Sequence, residues 1–299
     1  MPRPPGFSPA NVRGADRTFM PARSNPTIET KLMLIKAALN GGRTRAEHPA
    51  IPITPAELAA AAKESVAAGA GAIHFHVRGP DGRESLDPED VAKALSMIRA
   101  AVPGTPVGVS TGAWILRDVQ LRHEAVSRWK VLPDFASVNF KEDGALPLAE
   151  LLLCRGIGVE VGLSDVVGTE VFVTSGVQLS HRQVVAEIML SEADVFLPTG
   201  IGSRCLRVLL EPFESSTEAA LNTLEHIEGM LDAAGVDLPR VLHGLNQTAW
   251  DLIDEAAARG SDTRVGFEDI LTLPDGKQAP DNAALVTEAY RRMSRPQVL

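Results

Sequence analysis

Two histidines and two adjacent acids stand out as residues able to do chemistry. His74 and His76 lie in Ala72-Ile73-His74-Phe75-His76-Val77. On a strand, residues i and i+2 project to one face, so both imidazoles point together. Each brings ring nitrogens that cost free energy if buried without a partner, and one metal ion would partner both rings. Two imidazoles plus a carboxylate, with a position left open for water or substrate, is a donor set of catalytic zinc. The segment Arg264-Val265-Gly266-Phe267-Glu268-Asp269 offers the carboxylate. Arg264 and Glu268 share strand parity and face the same way. Glu268 is therefore the expected third ligand, and Asp269 the carboxylate left over for proton transfer. Otherwise the two acids are merely solvated loop residues.

The elements that would bring these residues together follow a regular rhythm. Short apolar runs occur at Leu32–Leu39, Ala72–Val77, Pro106–Ser110, Phe135–Phe140, Val159–Leu163, Leu206–Leu210, Arg240–Leu245 and Thr263–Phe267. Helix-like stretches lie between them, among them Pro55–Ala68, Pro88–Ala101, Thr217–Ala234 and Asn282–Met293. Thr54-Pro55 with Glu57 forms a capping-box signature, and Gly69 is a natural stop. The repeat is about 30 residues, the size of a βα unit, and eight units close a barrel. The expected fold is a single-domain (β/α)8 TIM barrel over residues 31–299. In that fold, strands two and eight both neighbour strand one, and their C-terminal ends share the active-site mouth. The alternative, an open doubly wound sheet, lacks a Gly-x-Gly-x-x-Gly after its first strand. The span Ser164–Arg204 fits one helix poorly; a helix near Ser180–Glu192 with an irregular segment before it is expected. Residues 1–30, rich in Pro and Arg without apolar periodicity, read as an extended N-terminal arm.

Other strand ends place polar groups on the same rim. These are Asn40-Gly41-Gly42-Arg43, Ser110-Thr111-Gly112, Asn139, His243 and Asn246. Glycines there let backbone amides approach a ligand. Glu160, inside Val159-Glu160-Val161, needs a cation such as Arg264 if it is buried.

Composition narrows the class. A net charge of −9 argues against a nucleic-acid or anionic-membrane surface, although local arginines could still bind an anionic ligand. Two cysteines, Cys154 and Cys205, imply no disulfide framework and fit a reducing cytoplasm. No apolar stretch reaches the roughly 18 to 20 residues of a membrane span, and no signal-peptide h-region is seen.

The motifs together resemble the β-keto acid cleavage enzymes (3-keto-5-aminohexanoate cleavage enzyme-like) over about residues 31–293. The resemblance rests on Ala37-Ala38-Leu39-Asn40-Gly41-Gly42, Pro52-Ile53-Thr54-Pro55-Ala56-Glu57-Leu58, Gly69 through Arg78, Val109-Ser110-Thr111-Gly112 and Arg264 through Asp269. It implies a barrel with one Zn²⁺ per chain on His74, His76 and Glu268. It also implies acyl transfer from a β-keto acid to coenzyme A, with acetyl-CoA as co-substrate and acetoacetate released. Asp269 would be the base, oriented by Arg264, with Ser110 and Glu160 supporting substrate and dyad. Asn40, Thr111, Gly112 and Asn139 would bind substrate. A homo-oligomer, tetramer or dimer, is also implied. The chain departs from the family pattern in two rim segments. A Gly-rich stretch after strand six is replaced by Leu210-Glu211-Pro212-Phe213, and Gly-x-Gly-Arg after strand seven by His243-Gly244-Leu245-Asn246. The Asn that often follows the Glu-Asp pair is Ile270. His-x-His on a barrel strand also marks amidohydrolase-like metal hydrolases, the alternative reading, in which His243 could serve as a further ligand.

Overall fold

The computed structural model describes residues 33–175 and 204–294. The expected arm at residues 1–30 and the helix expected at Ser180–Glu192 lie outside the described residues. Strands β1 (Ile35–Ala38), β2 (Ala72–Phe75), β3 (Val107–Ser110), β4 (Phe135–Asn139), β5 (Gly158–Leu163), β6 (Arg207–Leu210), β7 (Arg240–Leu242) and β8 (Asp262–Val265) close in sequence order into one parallel barrel. Closure pairs β1 with both β2 and β8, so Lys36 stands opposite Ala72 on one side and Arg264 on the other. The helices are α1 (Pro55–Ala67), α2 (Pro88–Ala101), α3 (Val119–Ser127), α4 (Ala145–Cys154), α5 (described over residues 166–175), α6 (Thr217–Ala233), α7 (Ala249–Arg259) and α8 (Asn282–Met293). Among the described residues no helix is long and apolar enough to cross a membrane.

Strand parity divides the molecule into two layers. One set of side chains points outward: Ile35, Ile73, Phe75, Val107, Val109, Val138, Val159, Val161, Val208 and Leu210 among others. These form the hydrophobic layer beneath the helices. Val91, Leu95 and Ile98 of α2 and Leu224, Ile227 and Leu231 of α6 cover it at the spacing of a helix face. The opposite parity points into the barrel and is largely polar: Lys36, His74, Ser110, Ser137, Glu160, Arg207 and Arg264 are all buried. Phe135 fills the space that Gly108 leaves, since a Cβ there would lie 2.0 Å from its ring.

Helix starts follow local chemistry. Thr54 caps α1, with Glu57 returning the bond to the cap backbone and Pro55 in the first turn. Asp87, Asp118, Ser216 and Asp281 cap α2, α3, α6 and α8 through side-chain oxygens. These caps satisfy amides that have no partner within the helix.

Two expectations are corrected. The segment before Ser180 is not irregular throughout, because residues 166–175 are helical. The apolar run at Val171–Val173 therefore belongs to α5. The strands are also shorter than the apolar runs that revealed them, and β2 ends at Phe75. His76 lies past the ladder, where its backbone pairs with a side chain instead: its amide donates to Asn40 Oδ1 at 2.8 Å, and its carbonyl accepts from Asn40 Nδ2 at 3.0 Å.

Candidate active site

A cavity of about 370 Å³ opens at the C-terminal ends of the strands, and His74, His76, Arg264 and Glu268 form part of its wall. His74 Nε2 stands 3.4 Å from Glu268 Oε2, and His76 Nε2 stands 3.4 Å from Glu268 Oε1. One ligand atom from each of the three residues fits within 4.8 Å of the others. Donors bound tetrahedrally at about 2.1 Å from a common centre stand roughly 3.4 Å apart, so each histidine–glutamate contact has the spacing of two ligands on one divalent ion. Glu268 Oε2 is buried and has no hydrogen-bond partner among the described residues, which a cation would supply.

The loop after β1 builds this triangle. Asn40 clamps the His76 backbone. Gly41 adopts φ +52°, and a Cβ there would lie 2.5 Å from Glu268 Cγ, so only glycine lets that side chain cross. Arg43 Nε donates to Glu268 O at 3.2 Å, and Arg78 donates to the Gly41 and Arg43 carbonyls. The Asn40–Arg43 segment thus positions the donors rather than facing the cavity with its functional groups.

Glu84, from the loop after β2, completes the orientation. His76 Nδ1 lies 2.5 Å from Glu84 Oε1, and Trp114 Nε1 donates to both Glu84 oxygens at 3.1 Å. With its Nδ1 proton on Glu84, His76 presents its Nε2 lone pair to the triangle, an arrangement common around metal-bound imidazoles. The two histidines respond oppositely to the site. Burial pushes His74 down to about 3, with Lys36 and Arg264 adding to the effect. Burial also disfavours charge on His76, but Glu268 and Glu84 outweigh it and raise it to about 9. Glu268 is held well below the usual carboxylate range: burial opposes this, and Arg264 and the histidines override it.

Arg264 and Asp269 form the expected pair. Arg264 Nε donates to Asp269 Oδ2 at 3.2 Å and Nη2 donates to Oδ1, while Nη2 also lies 3.1 Å from Glu268 Oε1. Arg264 is pushed above its ordinary value: burial opposes the shift, and Asp269 and Glu268 dominate. Asp269 is fully buried and does not line the cavity; Arg264 seals it off.

The remaining rim residues separate. Ser110 and Asn139 line the cavity, and Asn139 Nδ2 donates to Glu142 at 3.0 Å. Thr111 Oγ1 instead donates to the Ser137 carbonyl at 2.7 Å, a structural bond between strands. Gly112 lies beneath the Trp114 ring, which a Cβ would approach to 2.2 Å. Glu160 is not paired with Arg264. Lys36 Nζ donates to Glu160 Oε2 at 2.6 Å, Ser137 Oγ donates to the same oxygen at 2.8 Å, and Arg207 Nε lies 3.3 Å from Oε1. Register explains the correction, because Glu160 stands opposite Ser137 and Arg207 and, unlike Arg264, does not line the cavity.

Sequence reasoning passed over Lys36, Glu84, Glu211 and Trp114. Lys36 had a signal, since a lone lysine within a buried strand demands a partner. Glu84 and Trp114 lie in loops whose course no local pattern encodes. His243 does not join the donor triangle; its ring nitrogens face Glu211 and Asp269.

Fold and site together define a (β/α)8 barrel with a carboxylate–imidazole donor set at its catalytic face. Residues 32–297 match the family model for beta-keto acid cleavage enzyme, and the chain belongs to that family. It is 26% identical over 275 residues to a 3-keto-5-aminohexanoate cleavage enzyme of Fusobacterium nucleatum, covering 87% of this chain and 90% of the relative. Over 84 residues, 28% of this chain and 30% of the relative, it is 37% identical to a 3-oxoadipate:acetyl-CoA acetyltransferase of Cupriavidus necator. The structure of ObcA in a ternary complex with a C4-CoA adduct and oxalate shares the fold, with a TM-score of 0.58 at 17% identity. That match covers 82% of this chain, which spans 64% of the ObcA chain.

Proposed function

We propose that the protein is a metal-dependent β-keto acid cleavage enzyme that condenses a β-keto acid with acetyl-CoA. The keto acid R–CO–CH₂–COO⁻ and acetyl-CoA give R–CO–CoA and acetoacetate, so acyl groups are exchanged with no net redox change. The observation that carries this reading is the His74–His76–Glu268 triangle beside Arg264 on the cavity wall. The activities named for the relatives support it.

His74, His76 and Glu268 would hold the ion, zinc by the chemistry of the donors. When bound, the ion would polarise the ketone and stabilise developing oxyanion charge. Arg264 faces the cavity with its guanidinium fixed by Asp269, so it can hold the anionic end of the substrate without rearranging. Ser110 and Asn139 offer hydrogen bonds from neighbouring strand ends. Glu160 acts from below, keeping Lys36 and Arg207 in place. Proton transfer depends on Asp269, whose route to the cavity must pass its neighbours because Arg264 occupies its oxygens.

The test is metal analysis combined with a screen of β-keto acids plus acetyl-CoA, reading acetoacetate. One metal per chain and CoA-dependent acetoacetate are expected, with both lost in the folded His74→Ala/His76→Ala double variant. Hydrolysis without any need for CoA would favour the amidohydrolase-like reading. Full metal retention in the double variant would remove the donor assignment.

A further inference from the structure

His243 is fully buried, and neither ring nitrogen has a hydrogen-bond partner among the described residues. It stands between two carboxylates: Nε2 is 3.4 Å from Glu211 Oε2, and Nδ1 is 3.7 Å from Asp269 Oδ1. The two acids differ in what they can reach. Asp269 is sealed behind Arg264, whereas Glu211 lines the cavity with a tenth of its side chain exposed. No hydrogen-bond donor from the described residues meets the Glu211 carboxylate; the imidazole approaches it most directly, and the Arg264 charge also acts on it. A carboxylate so desolvated needs a donor, and an imidazole without partners needs a proton or an acceptor. Each can answer the other's need.

The backbone makes room for this arrangement. A Cβ on Gly162 would lie 3.1 Å from Glu211 Oε1 and 2.5 Å from Asn139 Oδ1, so the glycine keeps the carboxylate in place. Glu211 and His243 follow β6 and β7, where parity turns both side chains inward. They also occupy the two rim segments in which this chain departs from the family pattern. The groups facing the pair are Asp269 and Arg264 from β8 and its following loop, and Asn139 from β4.

We propose that Glu211 is the cavity-facing acid–base residue and that His243 is the positioning residue that takes up and returns its proton. The inference rests on the proposed β-keto acid reading and supplies the route that buried Asp269 lacks. A Glu211 oxygen accepts a proton from the carbon between ketone and carboxylate, and the C–H electron pair becomes that of the enolate. The proton passes to His243 Nε2, which restores the carboxylate. Asp269 stabilises the resulting imidazolium, as the buried acid of a carboxylate–imidazole array does. The enolate carbon bonds to the acetyl carbon as the C–S bond of acetyl-CoA breaks, the freed thiolate takes the R–CO group as its C–C bond to that carbon breaks, and acetoacetate leaves as the carbanion to which the proton returns through Glu211.

The experiment compares wild type, Glu211→Gln, Glu211→Asp and His243→Gln, all metal-loaded, with the keto acid selected by the acetoacetate screen. Steady-state rates are measured alongside exchange of the keto acid's methylene protons into D₂O by NMR. Glu211→Gln should keep its metal and a KM within a few-fold of wild type, yet lose about a hundredfold or more in kcat and in exchange above background. Glu211→Asp should recover part of both, and His243→Gln should fall between. If His243→Gln does not fold, the two Glu211 variants decide. Wild-type kcat in Glu211→Gln, or a loss confined to KM, would overturn the proposal. Should wild type itself cleave no β-keto acid, the functional reading fails first, and that result precedes any variant.

Discussion

Two charged clusters occupy the barrel interior, and they are balanced differently. In the deeper one, Glu160 lies between Lys36 and Arg207 with Ser137 donating to it, and both cations also face the Phe135 ring. Glu160 is held down to about 2: burial opposes this, and Lys36 and Arg207 outweigh it. At the mouth, Glu268 and Glu84 meet the two imidazoles and Asp269 pairs with Arg264, so three carboxylates face two guanidinium groups, Arg264 and the carbonyl-bonded Arg78. The deep cluster carries its own countercharge and behaves as structure. The rim cluster is short of positive charge, and a proton on His76 stands in where a divalent ion would fit. A difference in charge balance thus separates a scaffold from a binding site when both are built from the same residue types.

The largest expected effect divides the two adjacent acids of the rim. Asp269→Asn keeps the side chain's shape but removes its charge, so turnover should fall by about 10²- to 10⁴-fold while metal content stays at wild-type level. Glu268→Gln should do the reverse first, lowering metal affinity because it removes a donor. Metal content and steady-state rate, measured side by side, check both. Equal phenotypes would erase the distinction between a metal ligand and a buried acid that supports proton transfer.

The deep cluster should answer in stability instead. Lys36→Met strands the buried Glu160 carboxylate, a loss of about 3–5 kcal/mol by analogy with broken buried ion pairs. Adding Glu160→Gln should recover part of it. Denaturant unfolding with metal present gives the comparison. A Lys36→Met variant as stable as wild type would show that the cluster is not a scaffold.

Proton occupancy sharpens the contrast without mutation. In the metal-free protein His76 is raised to about 9, so its stabilisation is complete below the unfolded value near 6.5. That stabilisation is lost as pH rises through 9. His74, lowered to about 3, works in the other window: the unfolded chain binds its proton between about 6.5 and 3, and stability falls with pH there. Thermal unfolding of the metal-free protein should therefore lose stability on both sides of about pH 6.5. The metal-loaded protein should lose less on the alkaline side, because the ion has already displaced the His76 proton. Parallel alkaline slopes would break the comparison.

The smallest effect lies far from both clusters. Glu57 is held at about 2 by the Thr54 and Ile53 amides, so its contribution is present above the unfolded value and fades as pH falls through 2. Thr54→Ala should cost about 1 kcal/mol with metal content and turnover unchanged.

Legibility in the sequence followed the range of the interaction. The rhythm of apolar runs revealed all eight strands of the barrel, the capping box placed the start of α1 at Pro55, and Gly69 placed its end to within a residue. The His74/His76 pair was visible because parity is a property of one strand. Glu268 and Arg264 were visible because they share parity along β8 and the residues that follow it. Glu160 was assigned the wrong partner. Its need for a cation can be read from burial, but which cation meets it depends on the register of β4, β5 and β6. Asn40 looked like a ligand-facing rim residue and proved to be a clamp on His76, since only the packed loop shows where its amide points.

What the sequence by itself determined are short-range consequences: which residues alternate inward, where helices begin, and which glycines sit at strand ends. These depend on backbone geometry and on neighbours within a few positions. The tertiary structure alone decided which inward residues meet. Barrel closure sets β2 and β8 on either side of β1 and so carries Glu268 to His74 and His76. The same closure sets Lys36 against Glu160, 124 residues away, and His243 between Glu211 and Asp269. Parity tells a side chain to face the barrel interior. Strand register and closure fix its depth and its partner, and those are set by the packing of the whole chain.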